Sequence, residues 1–163
     1  MTTLAIFTLV HVLISLVGIA SGLVVMFGLL GGKRLDGWTT IFLWTTVLTS
    51  VTGFGFPFHE LLPSHIVGAI SLVVLAVTIV ARYRFRLAGA WRLVYVIGAM
   101  VALYLNVFVL VVQLFLKVPA LKALAPTQAE PPFALAQGVV LLLFVVLTIA
   151  AVIKFRPAPI RLA

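Results

Sequence analysis

An all-α integral membrane protein is the fold class this sequence predicts, and three observations predict it. Apolar residues make up 64% of the 163 and charged residues only 9%. Long uncharged runs alternate with short polar breaks, and the basic residues gather in alternate breaks. An ordinary soluble domain carries roughly a quarter charged residues, so a mean hydropathy of +1.35 belongs to a chain that dissolves in lipid. A spanning helix needs about 20 largely apolar residues and bundle connections are short, so the length suits one transmembrane helical-bundle domain over residues 1–163.

The first helix is expected at about Leu4–Leu30. Its leader, Met1-Thr2-Thr3, lacks the basic stretch of a signal peptide, and its apolar run is about twice a usual signal core, so it reads as a retained helix. The second, about Trp38–Phe56, follows the polar stretch containing Lys33, Arg34 and Asp36. The third, about Pro63–Ala81, has a short uncharged core, but a proline suits a first helical position. The fourth, about Trp91–Leu116, and the fifth, about Pro132–Ile153, are each long enough to cross with some tilt. Pro119 to Ala125 reads as one or two turns lying on the membrane surface.

Orientation follows from the cations, because basic residues favour cytoplasmic loops. Lys33, Arg34, Arg82, Arg84, Arg86, Arg92, Lys154, Arg156 and Arg161 fall on one side of a five-span chain, against Lys117 and Lys122 on the other. The N-terminus is therefore expected outside and the C-terminus in the cytoplasm, in a multi-pass protein of the cell (inner) membrane. Trp38, Trp91, Tyr83 and Tyr95 then lie at the inner interface, where amphipathic rings concentrate. The net charge of +8 is in this setting a topology signal. The bilayer is the expected partner and nucleic acid is not. The chain has no cysteine, which excludes disulfides, thiolate metal sites and cysteine nucleophiles.

In the first helix Thr8, His11, Ser15, Gly18 and Gly22 recur at three- and four-residue spacing and share a face. Gly18 and Gly22 form a small-xxx-small pair that admits a neighbouring helix closely. His11 lies about 10 Å inside the apolar slab, at 1.5 Å per residue, where an ionisable ring faces the bundle interior and marks a candidate site. Asn106, Gln113 and Lys117 make a second polar stripe on the fourth helix. Gln137 adds an amide near the outer end of the fifth.

These groups concentrate in the outer half, beneath loops bearing His59, Glu60, His65, Thr127, Gln128 and Glu130, while the inner half reads as almost bare of polar side chains. That pattern predicts a polar cavity opening outward above an apolar plug. The candidate ligand-binding residues are His11, Ser15, Asn106, Gln113 and Gln137. The candidate metal set is His11, His59, Glu60 and His65, whose imidazole and carboxylate groups suit a transition metal. A haem is the other candidate cofactor, although His11 has no evident mate across the bundle.

No glycine-rich phosphate loop, metalloprotease spacing or nucleophile–base pair is present, so the expected role is that of a non-catalytic binding or accessory subunit with a histidine-containing pocket. A transporter or channel subunit working as a homo-oligomer, a metal- or haem-binding redox protein, and a structural subunit of a larger membrane complex stand as alternatives.

Overall fold

The computed structural model describes residues 2–56 and 63–156, all helix, turn and loop with no strand among them. The elements are α1 (Thr3–Leu30), α2 (Asp36–Gly53), α3 (Pro63–Ile79) running on into a π turn (Val80–Arg84), α4 (Trp91–Lys117), the short α5 (Pro119–Leu124) and α6 (Pro131–Lys154). Four of these segments are long and apolar enough to cross a membrane: Thr3–Leu30, His65–Arg84, Trp91–Lys117 and Pro131–Lys154. The 18-residue α2 is set apart by composition, since it opens on Asp36 and carries Thr39, Thr40, Thr45, Thr46, Thr49, Ser50 and Thr52.

Local chemistry fixes the helix ends. Thr2 caps α1, its hydroxyl accepting from the Ala5 N–H at 3.3 Å, which satisfies one of the free donors of the first turn. At the other end Gly32 adopts φ +67°, a left-handed conformation that glycine takes without Cβ strain, and the chain reverses into α2. Asp36 occupies the first turn of α2, where a carboxylate complements the helix dipole. The α3–α4 turn is tighter still. Arg86, Leu87 and Gly89 all have positive φ, and the Leu87 N–H returns to the Ala81 carbonyl at 3.1 Å. Prolines open α5 and α6, as their fixed φ and missing N–H favour.

α1 packs along α2, α2 against α3 and α3 against α4. The central α4 also contacts α1 and α6, and α1 touches α6. The close approach of α1 rests on Gly22, where a Cβ would lie 2.6 Å from Leu103 Cδ1 and 2.8 Å from Phe42 Cε2.

The core is strongly uneven along the helices. Val25, Met26, Leu29, Phe42, Leu43, Leu75, Tyr95, Val96, Met100 and Leu103 are buried. These belong to the half of the bundle that ends in the α1–α2 and α3–α4 turns, called here the basic end. In the opposite half, no residue of α1 before Gly18 is buried, and α4 is only half-buried at every position from Tyr104 to Val112. The helices are closely packed at the basic end and loosely packed at the His11 end.

The third helix differs from its sequence expectation. It does not stop at Ala81 but continues through the π turn to Arg84, so Arg82 lies in the fold and not in a loop, with 5% of its surface exposed. The second helix begins at Asp36 and ends at Gly53, two and three residues before the sequence estimate.

Candidate polar site at the loosely packed end

His11 projects from α1 toward the end of α2, its Nδ1 2.8 Å from Thr52 Oγ1. The imidazole meets the Phe56 ring edge to face at 5.1 Å, and Phe7 meets the same phenylalanine at 5.0 Å. A Cβ on Gly53 would sit 3.9 Å from His11 Cε1, so the backbone of α2 lies directly beside the ring. One turn below, the Ser15 hydroxyl donates to the His11 carbonyl at 2.7 Å, a bond that satisfies the serine within its own helix.

Asn106 lies deeper. Its amide donates to Thr46 Oγ1 at 3.1 Å, joining α4 to α2, and a Cβ on Gly18 would be 3.7 Å from the same nitrogen. Gly22 is level with Leu103, and Gly18 with Asn106. Carried two further turns, this antiparallel register sets Gln113 at the depth of His11. Gln113 is exposed, whereas Gln137 is half-buried, its amide donating to the Phe108 carbonyl at 3.2 Å and its Oε1 buried without a partner. Gln128 closes the C-terminal end of α4 by donating to the Val112 carbonyl at 2.9 Å.

His65 is buried and packs against Phe54 at 5.7 Å. His59 and Glu60 lie outside the described residues. Among the described residues no three histidine or carboxylate side chains gather as a metal would require, and of the four-residue metal set only His11 and His65 are among them.

The opposite end corrects the expectation of a bare apolar plug. Thr39, Thr78, Arg82 and Tyr95 are all buried there. Arg82 pairs through Nη2 with Asp36, and its guanidinium lies 5.5 Å and 5.4 Å from the Tyr83 and Tyr95 ring centres, within the range of cation–π attraction. Thr39 and Tyr95 hydroxyls are 3.4 Å apart, those of Thr40 and Tyr83 3.1 Å. Arg92 donates to the carbonyls of Val152 and Phe155, holding the end of α6. Counting Arg82 only as a loop charge concealed this cluster. A signal was present, because Ser71, Leu75, Thr78 and Arg82 are spaced four, three and four residues apart and form one buried stripe.

Comparison with protein-family models, with characterised proteins and with solved structures finds no match to this chain.

Proposed function

We propose that this chain is a multi-pass protein of the cell membrane that crosses five times, N-terminus outside and C-terminus cytoplasmic, and acts as a non-catalytic binding or accessory subunit. Its ligand is held at the loosely packed end, beneath the outer loops. The observation that carries this reading is the uneven packing: buried residues crowd the basic half, while α1 and α4 are half-covered or less where His11, Ser15 and Gln113 lie. A bundle held together throughout by its core has no need of such looseness, and a few polar groups on otherwise apolar walls are the usual lining of a ligand site.

The hydrogen bonds narrow the residues involved. Asn106 with Thr46 and Ser50 with Ser71 spend their polar groups between helices, as polar contacts do when they join helices in a membrane. The Ser15 hydroxyl proton is likewise spent on the His11 carbonyl, which leaves His11 Nε2, Gln113 and the Gln137 carbonyl as the groups with most capacity for a ligand. Asn106 serves as the floor.

The natural absence of cysteine makes the test clean. Single cysteines replacing Ser15, Gln113 and Thr78 are exposed to a membrane-impermeant thiol reagent in oriented vesicles. Ser15→Cys and Gln113→Cys are expected to react from the outer side, and Thr78→Cys only after denaturation. Protection of both outer positions in the folded protein would remove the cavity and the function built on it.

A further inference from the structure

The hydrogen bonds around Thr52 settle which nitrogen of His11 carries the proton. Thr52 Oγ1 lies 2.7 Å from the Leu48 carbonyl and 3.2 Å from that of Thr49. Carbonyls only accept, so the single hydroxyl proton is committed to its own helix. The contact from His11 Nδ1 to that oxygen, at 2.8 Å, must then be an N–H donated by the imidazole. In the neutral ring the other nitrogen, Nε2, carries a lone pair, and no group among the described residues donates to it. A ring N–H anchored by a fixed acceptor is the arrangement that presents the opposite nitrogen for binding.

The surroundings select what that lone pair takes. The ring's apolar neighbours are Phe56, against which Phe7 packs in turn, and the Gly53 backbone, with Thr52 the polar exception. Among the described residues no cation contacts the ring, and no three histidine or carboxylate side chains gather there to hold a metal ion. Burying an uncompensated charge in such a setting is costly. An uncharged hydroxyl that donates one hydrogen bond suits it. The edge-to-face phenylalanines favour an aromatic carrier, because rings prefer such offset contacts.

We infer that His11 Nε2 is the acceptor for the hydroxyl of a membrane-dissolved phenol or hydroquinone, whose ring lies against Phe7 and Phe56, with the Gln113 amide at the same depth available to its second oxygen. The inference rests on the binding reading above and names its ligand class. It is a binding step only. Thr52 positions the imidazole and does not touch the ligand.

The test is nitrogen resonance on protein labelled with ¹⁵N-histidine in lipid nanodiscs, titrated with a decyl-substituted hydroquinone. Before addition, His11 should show a protonated Nδ1 and an unprotonated Nε2. The hydroquinone should move the Nε2 signal toward the protonated range, and its dimethyl ether should not. Binding should weaken by about tenfold in His11→Phe, the scale of one hydrogen bond. Thr52→Val should mix the two ring forms while the protein stays folded. If His11→Phe fails to fold, the titration of the unmutated protein decides alone.

An Nε2–H ring in the ligand-free protein, or equal binding of the ether, would overturn the inference and leave the cavity intact. Binding of zinc ion or haem through His11, with no response to hydroquinone, would keep the pocket and replace the ligand class. Failure of hydroquinone, zinc ion and haem alike to perturb His11, together with thiol protection at Ser15→Cys and Gln113→Cys, would overturn both readings.

Discussion

Arg82 is buried and Asp36, the carboxylate it grips, is not: 4% of the arginine side chain is exposed against 59% of the aspartate. The pair joins the π turn after α3 to the first turn of α2, and the Tyr95 ring brings in α4. The two partners therefore differ in what they lose when the other is removed. Arg34, at 3.0 Å, gives Asp36 a second cation. Arg82 has no such alternative, since Nε and Nη1 are already buried without a hydrogen bond.

Asp36→Ala should accordingly destabilise the detergent-solubilised protein by about 3 kcal/mol, because it strands a buried guanidinium. Arg82→Met should cost about 1 kcal/mol or less, since an apolar chain fills the same space and Asp36 turns to Arg34 and water. Denaturant melts of the two variants decide it. The opposite ranking would mean that Arg82 is not the partner that depends on the pair.

Gly22 and Gly18 share a face of α1 but tolerate a methyl group unequally. At Gly22 a Cβ would fall inside contact distance of both Leu103 and Phe42, whereas at Gly18 the nearest atom is Thr45 Oγ1 at 3.3 Å. Gly22→Ala is expected to cost about 1–3 kcal/mol through overpacking, Gly18→Ala less. Val17→Leu, on the exposed face, should leave the melt unchanged. Equal effects at all three positions would contradict the close α1–α2–α4 contact.

The apolar helices could be read from the chain because each is a long uncharged run between polar breaks, and lipid imposes that pattern directly. The face of α1 was equally legible: the spacing of His11, Gly18 and Gly22 announced a contact that the structure places against α2 and α4. Partners were not legible. Nothing in the sequence says that His11 meets Thr52, that Asn106 meets Thr46, or that Gln113 stays exposed, since these depend on helix rotation and register. Arg82 was misplaced for a physical reason. A basic residue after an apolar run ordinarily marks the interface, and here the π turn and the Asp36 carboxylate turn it back into the protein.

Glu130 closes the turn before α6. Its carboxylate accepts from the Thr127 hydroxyl at 2.9 Å, the Thr127 N–H at 3.2 Å and the Ala129 N–H at 3.1 Å. Slight desolvation pushes its pKa up, but these hydrogen bonds outweigh it and hold the group below its ordinary 4.5. A carboxylate with a depressed folded-state pKa contributes stability at neutral pH that fades as pH falls from about 4.5 through the folded value. The wild-type turn should therefore lose order on acidification below that point, while Glu130→Gln should show no such transition there. Proteolytic cutting near Gln128 as a function of pH measures the difference. Superimposable pH profiles would show that the carboxylate does not hold the turn.

The five-span orientation makes the last prediction. Nine basic residues lie in segments that an odd number of crossings puts on one side, against Lys117 and Lys122 on the other, and transferring cations across the membrane is what sets topology. The span that needs testing is α2, since 18 residues at about 1.5 Å each reach about 27 Å, just enough to cross when Asp36 stays at the interface with Arg34 and Arg82. A reporter active only in the cytoplasm should work when fused after Ala163 and near Lys33, and fail when fused near Gln128. If α2 does not cross, the Lys33 and Ala163 fusions report opposite sides, which would overturn the five-span reading and the outward opening of the His11 end with it.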